Sequence, residues 1–125
     1  MNRSRYLLAI VAVLFAGSLQ GFGQAQNLNE LNRPYQIISQ PKATYTDVAR
    51  GKNIEGAVRL KITLLKTGEV GDVTLIKTRG WKRLQKYGLT EKAMGAARQI
   101  RFTPKLVNGK PVSVVITREY TFEIY

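Results

Sequence analysis

The sequence predicts an α+β fold in which a three-stranded antiparallel or mixed sheet packs against two helices. Alternating apolar and charged residues on either side of a glycine-containing turn predict a β-hairpin over residues 57–77. A stripe of small apolar residues at helical spacing follows, and it predicts a helix that can lie close to a sheet. A strand-like run from Val112 to Tyr125 supplies the third strand.

The N-terminus has the three-part order of a secretory signal peptide. Arg3 and Arg5 precede an apolar run over residues 6–17, and small and polar residues follow as far as Ala25. We therefore predict a signal peptide over residues 1–25. The apolar run is shorter than the ~20 residues that a membrane-spanning helix needs, so an uncleaved membrane anchor is the less favoured alternative.

The next segment is polar and leads into the predicted domain. Residues 26–39 are rich in Asn and lack an apolar period, which predicts a flexible lead-in to a domain over residues 40–125. Near the start of that domain, Thr44 or Thr46 is placed to cap a short helix over residues 47–50.

The hairpin has the clearest pattern in the chain. The apolar face of its first strand consists of Val58, Leu60, Ile62 and Leu64. Charged and polar residues alternate with them, which is typical of a half-buried strand. Residues 66–69 contain the turn glycine, and residues 70–77 form the second strand.

A basic loop and a helix are predicted between the hairpin and the last strand. Residues 78–88 form the loop, and Thr90 is expected to cap a helix over residues 91–101. The apolar side of this helix consists of Leu89, Ala93, Met94, Ala97 and Ile100. Phe102 continues that side, and Pro104 is expected to end the helix.

The connections predict the order of the strands. Asn108 and Gly109 form a turn before the last strand. Because the helix reverses the direction of the chain, the last strand runs parallel to the second strand. A right-handed crossover then places the last strand beside the first, giving the order second, first, third. The last strand therefore lies at an edge of the sheet, with one side of its backbone unpaired.

Composition narrows the classes of function. The 125 residues include no His and no Cys, so the commonest general base and the thiol nucleophile are absent, as are disulfides. The acidic residues are dispersed, and no phosphate-binding glycine pattern occurs. We predict a non-enzymatic protein without a cofactor or a metal. The formal net charge of +12 favours anionic partners, of which nucleic acid is disfavoured for an exported chain.

Two surfaces are candidate binding sites. The edge of the last strand can accept an extended peptide by strand addition, although its side chains also pack the core. The basic loop can bind cell-wall polymer or anionic lipid, which would bring the protein into peripheral contact with envelope surfaces. Its candidate residues are Arg79, Trp81, Lys82, Arg83 and Lys86. A solvated loop with Trp81 against the domain is the simpler interpretation of this cluster.

A series of short motifs resembles a known family. The motifs are Gln40-Pro41 with Tyr45, Ile54-Glu55-Gly56-Ala57-Val58, Gly68-Glu69-Val70, Gly88-Leu89-Thr90-Glu91, Ile100-Arg101-Phe102-Thr103-Pro104 and Asn108-Gly109-Lys110-Pro111-Val112. In this order and at this spacing, they resemble the C-terminal domain of TonB, the periplasmic energy transducer of bacteria with an outer membrane. The resemblance covers residues 40–125.

This resemblance implies a fold, a partner and a location. It implies a periplasmic module of two helices and three strands that binds an extended segment of an outer-membrane transporter, the TonB box, in TonB-dependent transmembrane transport. An inner-membrane anchored form facing the periplasm is the alternative location, and a homodimer is an alternative assembly. By position, the partner-binding residues are Gln40, Thr117, Arg118, Glu119, Tyr120, Thr121 and Phe122.

Overall fold

The computed structural model describes residues 31–124, and the predicted signal peptide lies outside the described residues. In chain order the elements are β1 (Gln36–Ser39), α1 (Asp47–Gly51), β2 (Gly56–Leu64), β3 (Val70–Ile76), α2 (Trp81–Lys86), α3 (Leu89–Arg98), β4 (Arg101–Thr103), β5 (Lys105–Val107), β6 (Lys110–Val112) and β7 (Val114–Phe122). None of the helices in this part of the chain is long and apolar enough to cross a membrane.

The described residues divide into two compact units. The larger contains residues 34–105 and 111–124, and the smaller contains residues 31–33 and Leu106–Lys110. The larger unit holds the main sheet, the helices α1, α2 and α3, and the candidate binding groove.

The three-stranded sheet has the predicted order. β2 lies in the centre and pairs antiparallel with β3 on one side and with β7 on the other. Lys61 marks the register, because it pairs with Thr74 of β3 and with Thr117 of β7. β7 therefore runs parallel to β3 and lies beside the first hairpin strand, which confirms the predicted topology.

The hydrophobic core lies between this sheet and the helices. Val58, Leu60, Ile62 and Leu64 of β2 are at most 1% exposed. Leu89, Ala93 and Ala97 of α3 are fully buried, so their small side chains let the helix lie close to β2 and β3. The alternation in the hairpin and the apolar stripe of the helix thus both predict residues that are buried in the core.

The helix before the last strand has different ends from those predicted. α3 begins after Gly88, which has φ of 82°, and Thr90 lies within its first turn, where its buried hydroxyl caps nothing. The helix ends at Arg98, and residues 101–103 form β4 instead of a last helical turn. β4 pairs with β1, so Phe102 reaches the core from a strand.

The pairing of β1 corrects the end of the predicted lead-in. Gln36 lies opposite Thr103 and Ile37 lies opposite Phe102, so residues 36–39 are a paired strand and not a flexible segment. Residues 36–39, which follow closely after Pro34, show no alternation of apolar and polar residues in the sequence. A pairing of three positions is decided by a distant partner strand and leaves little local pattern.

The basic segment after the hairpin contains a helix where a loop was predicted. α2 spans Trp81–Lys86 and begins after Gly80, which has φ of 82°. Leu84 is its buried residue and contacts Gly56 at the start of β2. One buried side chain among charged neighbours is too weak a period to indicate a helix in the sequence.

The short helix and the final turn follow their predicted signals. Thr46 is the cap of α1, since its Oγ1 accepts a hydrogen bond from the Ala49 N–H at 3.1 Å. In the smaller unit, Asn108 and Gly109 have φ of 52° and 79° and join β5 to β6, as a two-residue hairpin turn requires.

Candidate functional site: a groove at the free edge of β7

Within residues 31–124, β7 pairs with β2 alone, and its other edge has no partner strand. Thr117, Glu119 and Thr121 point to the exposed side of the sheet. Tyr120 and Phe122 point to the core and are 6% and 2% exposed. Alternate side chains of β7 thus lie on the exposed face of the sheet and in the core. The backbone of its outer edge is left unpaired within the described chain.

A groove of about 420 Å³ runs along this edge. One wall is the segment between β1 and α1, and the other is the end of β7. The lining residues are Gln40, Pro41, Lys42, Ala43, Tyr45 and the five consecutive residues Glu119, Tyr120, Thr121, Phe122 and Glu123. Successive side chains of a strand point to opposite faces, so consecutive residues line one groove only when the strand faces it edge-on.

A hydrogen bond joins the two walls. Arg118 Nε donates to Gln40 Oε1 at 3.1 Å, and Arg118 Nη1 donates to the Thr117 carbonyl at 3.2 Å. Arg118 lies at an inward-facing position of β7, where the edge of the sheet lets its guanidinium reach the opposite wall. These two hydrogen bonds hold the Arg118 guanidinium beside the unpaired edge of β7.

Tyr45 closes the inner part of the groove. Its ring meets Phe122 edge-on at 5.5 Å between centroids, and its hydroxyl donates to the Ile54 carbonyl at 2.9 Å. The Arg50 guanidinium lies 4.8 Å from the ring centroid. Desolvation raises the pKa of Tyr45, and the negative charge of Glu55 raises it further. The phenol stays protonated at neutral pH and keeps its hydrogen bond.

Tyr120 is the other phenol of the groove, and its hydroxyl is an exception among the buried polar groups. The hydroxyl has no hydrogen-bond partner among the described residues. Burial raises the pKa of Tyr120, and the positive charge of Arg118 opposes that shift. The Tyr120 side chain packs in the core beneath the sheet. Only the backbone of Tyr120 is available to a partner at the free edge of β7.

The end of the groove is held by a second contact. The Ile124 N–H donates to a carboxylate oxygen of Glu55 at 2.7 Å. Because Glu55 immediately precedes β2, this contact fixes the chain just beyond β7 against the central strand. This contact restrains the chain just beyond the edge, and such restraint lowers the entropy cost of adding a strand.

The structure brings the predicted partner-binding residues together, with different accessibility. Gln40 faces Arg118 across the groove, and Thr117, Glu119 and Thr121 are exposed. Tyr120 and Phe122 are in the core, so only their backbone groups can meet a partner. Pro41, Lys42 and Ala43 also line the groove but are not among the predicted site residues, because nothing in the sequence indicates that this segment lies along β7.

The predicted anionic-ligand residues lie elsewhere, on and beside α2. Lys77 Nζ is 5.0 Å and Lys82 Nζ is 5.8 Å from the centroid of the Trp81 ring. The exposed cations of this basic cluster are Lys77, Arg79, Lys82, Arg83 and Lys86. None of them lines the groove at β7. Two lysines already occupy positions over the Trp81 ring, so the ring is less available for stacking on a ligand.

Comparison with known proteins identifies the family. No curated protein sequence matches this chain. A solution NMR structure of the Pseudomonas aeruginosa TonB CTD has a similar fold, with a TM-score of 0.56 and 21% sequence identity over 72% of this chain and 86% of that one. The family model of the Gram-negative bacterial TonB protein C-terminal matches residues 41–124, which is more than half of the chain. The chain therefore belongs to the family of Gram-negative bacterial TonB protein C-terminal domains.

Proposed function

We propose that this domain is a non-enzymatic binding module that accepts an extended peptide by strand addition at the free edge of β7. The peptide is a TonB-box-like segment of an outer-membrane transporter, and the binding serves TonB-dependent transmembrane transport. The protein acts in the periplasm, after export through the signal peptide predicted over residues 1–25.

One observation carries this proposal. Glu119 to Glu123 line the groove as five consecutive residues, so the edge of β7 faces an open groove of about 420 Å³. Main-chain hydrogen bonds to such an edge supply affinity without requiring a particular side chain. Membership of the TonB C-terminal family supports a transport partner for this edge.

The walls of the groove would select among peptides. Side chains on one face of a bound strand would meet Thr117, Glu119 and Thr121, and those on the other face would meet Arg118 and Gln40. Alternate positions of the peptide would therefore be read by different surfaces. The bond between Gln40 and Arg118 would lie beside the path of such a strand and would restrain the wall that the strand contacts.

An NMR titration tests the proposal. The ¹⁵N-labelled protein is mixed with a peptide spanning the TonB box of an outer-membrane transporter, and a scrambled peptide of the same composition is the control. We expect the amide signals of residues 117–122 and of Gln40 to shift with the first peptide only. Unchanged signals there, across a set of such peptides from one bacterium, would contradict the proposal.

A second candidate function is binding to cell-wall polymer or anionic lipid through the basic cluster. Its supporting observation is the group of exposed cations around α2. The lysines over Trp81 weigh against it, because they occupy the ring that a sugar or headgroup would contact. A steep loss of binding with added salt would distinguish this function from strand addition at β7.

A further inference from the structure

β3 forms the opposite edge of the sheet. Within residues 31–124 it pairs with β2 alone, as β7 does. The pairing is regular along its second half, from Val73 opposite Ile62 to Ile76 opposite Arg59. Four consecutive positions of β3 therefore pair with β2 without a register shift.

The core is less covered at β3 than at the other two strands. The inward-facing residues of β2 are at most 1% exposed, and those of β7 that lie beside the groove are also buried. Val70, Val73 and Leu75 of β3 are only partly buried, although they pack against the same core. An additional strand beside β3 would cover these side chains.

The second half of β3, from Val73 to Ile76, also lacks the usual protection of an edge strand. Natural edges commonly carry Lys, Pro or inward-pointing charge, which discourage pairing with another chain. Between Val70 and Ile76, Asp72 is the only charged residue, and there is no Pro. β7, by contrast, carries Arg118 and Glu119 in the middle of its length.

The basic cluster begins where β3 ends. Lys77 immediately follows the strand, and its ammonium group lies 5.0 Å from the centroid of Trp81 in α2. Arg79, Lys82 and Arg83 are exposed nearby in the sequence and on that helix. A chain that follows the edge of β3 toward its C-terminal end would therefore approach a concentration of positive charge.

From these observations we infer that the edge of β3 is a second docking surface, for an extended segment of another protein that carries acidic residues followed by alternating apolar and polar residues. The segment pairs antiparallel with β3, so its N-terminal acidic residues meet the basic cluster. Its apolar side chains cover Val73 and Leu75. The formal net charge of +12 favours an acidic segment over a second copy of the chain, because two molecules with this net charge repel each other.

Two peptides of identical composition test the inference. The first has four Asp followed by four Val-Thr pairs, and the second has the Val-Thr pairs followed by the four Asp. We expect the first to shift the amide signals of residues 73–77 and to bind about tenfold more tightly, because only its charges lie beside the cluster. A spin label at its N-terminus should broaden the signals of residues 77–83, and one at its C-terminus those of residues 70–72.

A charge-matched pair of variants completes the test. The double variant Lys82→Glu, Arg83→Glu should weaken binding of the first peptide about tenfold. Lys105→Glu, Lys110→Glu makes the same change in net charge at exposed positions outside α2 and should leave the affinity within about twofold. Equal losses in the two variants would show a general charge effect and overturn the inference.

Three other results would also overturn it. Equal binding of the two peptides would remove the role of the basic cluster. Amide shifts on β7 alone would leave the proposed function intact and refute docking at β3. Shifts of residues 73–77 that depend on protein concentration, and not on peptide, would show that a second copy occupies this edge.

Discussion

Arg118 and Gln40 face each other across the groove at β7, with Arg118 Nε 3.1 Å from Gln40 Oε1. The two residues are distant in the sequence, and neither belongs to the buried core. Their bond fixes the segment before α1 against the edge of β7 that lacks a partner strand in the described chain. It therefore restrains one wall of the groove that we propose as the peptide site.

Replacing Gln40 tests whether this restraint matters for binding. Gln40→Ala removes the acceptor, so Arg118 loses a hydrogen bond and the wall of the groove is less restrained. We expect peptide affinity to fall about threefold to tenfold, as for the loss of one hydrogen bond to a charged group. The free energy of unfolding should change by less than about 1 kcal/mol, because both residues are accessible to water. Titration calorimetry and urea denaturation measure the two effects.

The matched control for Gln40 is Gln85→Ala. Gln85 is exposed on α2 and does not line the groove. It should leave the affinity unchanged. An equal effect of the two substitutions would exclude a specific role for Gln40.

The sheet could be predicted from the sequence because its signals are local and repeated. Leu60 and Ile62 alternate with Arg59 and Lys61, and that alternation alone fixes which face of β2 is buried. The strand order then followed from short connections and the handedness of the crossover, which leave few arrangements. The position of β7 at an edge of the sheet therefore follows from the sequence.

The remaining parts depend on contacts between distant residues. β1 and β4 are strands because they pair with each other. Phe102 continues the apolar stripe that ends at Ile100, so the local sequence predicts a helix there and not a strand. The groove also depends on contacts between residues that are distant in the sequence. Gln40 could be named through the family resemblance, but the positions of Lys42 and Ala43 beside β7 follow from the tertiary fold.

Thr46 is predicted to contribute more to the free energy of unfolding than an ordinary helix cap does. Its Oγ1 accepts from the Ala49 N–H, and the same hydroxyl donates to the Tyr87 carbonyl at 2.8 Å. Thr46→Ala should lower the free energy of unfolding by about 1–2 kcal/mol. Thr46→Ser should recover most of it. Thr44→Ala, at the exposed position that the sequence left as an alternative cap, should cost less than about 0.5 kcal/mol in urea denaturation.

The two phenols of the groove should respond oppositely to the loss of their hydroxyls. Tyr45→Phe removes the donor to the Ile54 carbonyl, so we expect a loss of about 0.5–1.5 kcal/mol in the free energy of unfolding. Tyr120→Phe removes a buried hydroxyl without a hydrogen-bond partner, so we expect no loss, or a gain of up to about 1 kcal/mol. A substantial loss in Tyr120→Phe would show that its hydroxyl is bonded, for example to a buried water.

The same residues predict a dependence of stability on alkaline pH. The folded-state pKa values of Tyr45 and Tyr120 are both raised above the usual value of 10.0, so folding favours the protonated phenols. Their contribution is complete below the unfolded pKa and is lost as pH rises through the folded pKa values. The free energy of unfolding of the double variant Tyr45→Phe, Tyr120→Phe should therefore fall less steeply above pH 10 than that of the wild type. Parallel curves from urea denaturation would contradict this origin.

The basic cluster should be dispensable for binding at β7. Lys82→Ala, Arg83→Ala, Lys86→Ala removes three exposed cations that do not line the groove, and the long-range effect of such charges is screened within about 10 Å at 0.1 M salt. We expect the affinity for a TonB-box peptide to change by less than about twofold at that salt concentration. Binding to anionic vesicles or cell-wall fragments, measured by co-sedimentation, should fall if the cluster has an envelope ligand. A large loss of peptide affinity with unchanged β7 amide shifts would mean that the peptide reaches beyond the groove to α2, and the site would then have to be extended to that helix.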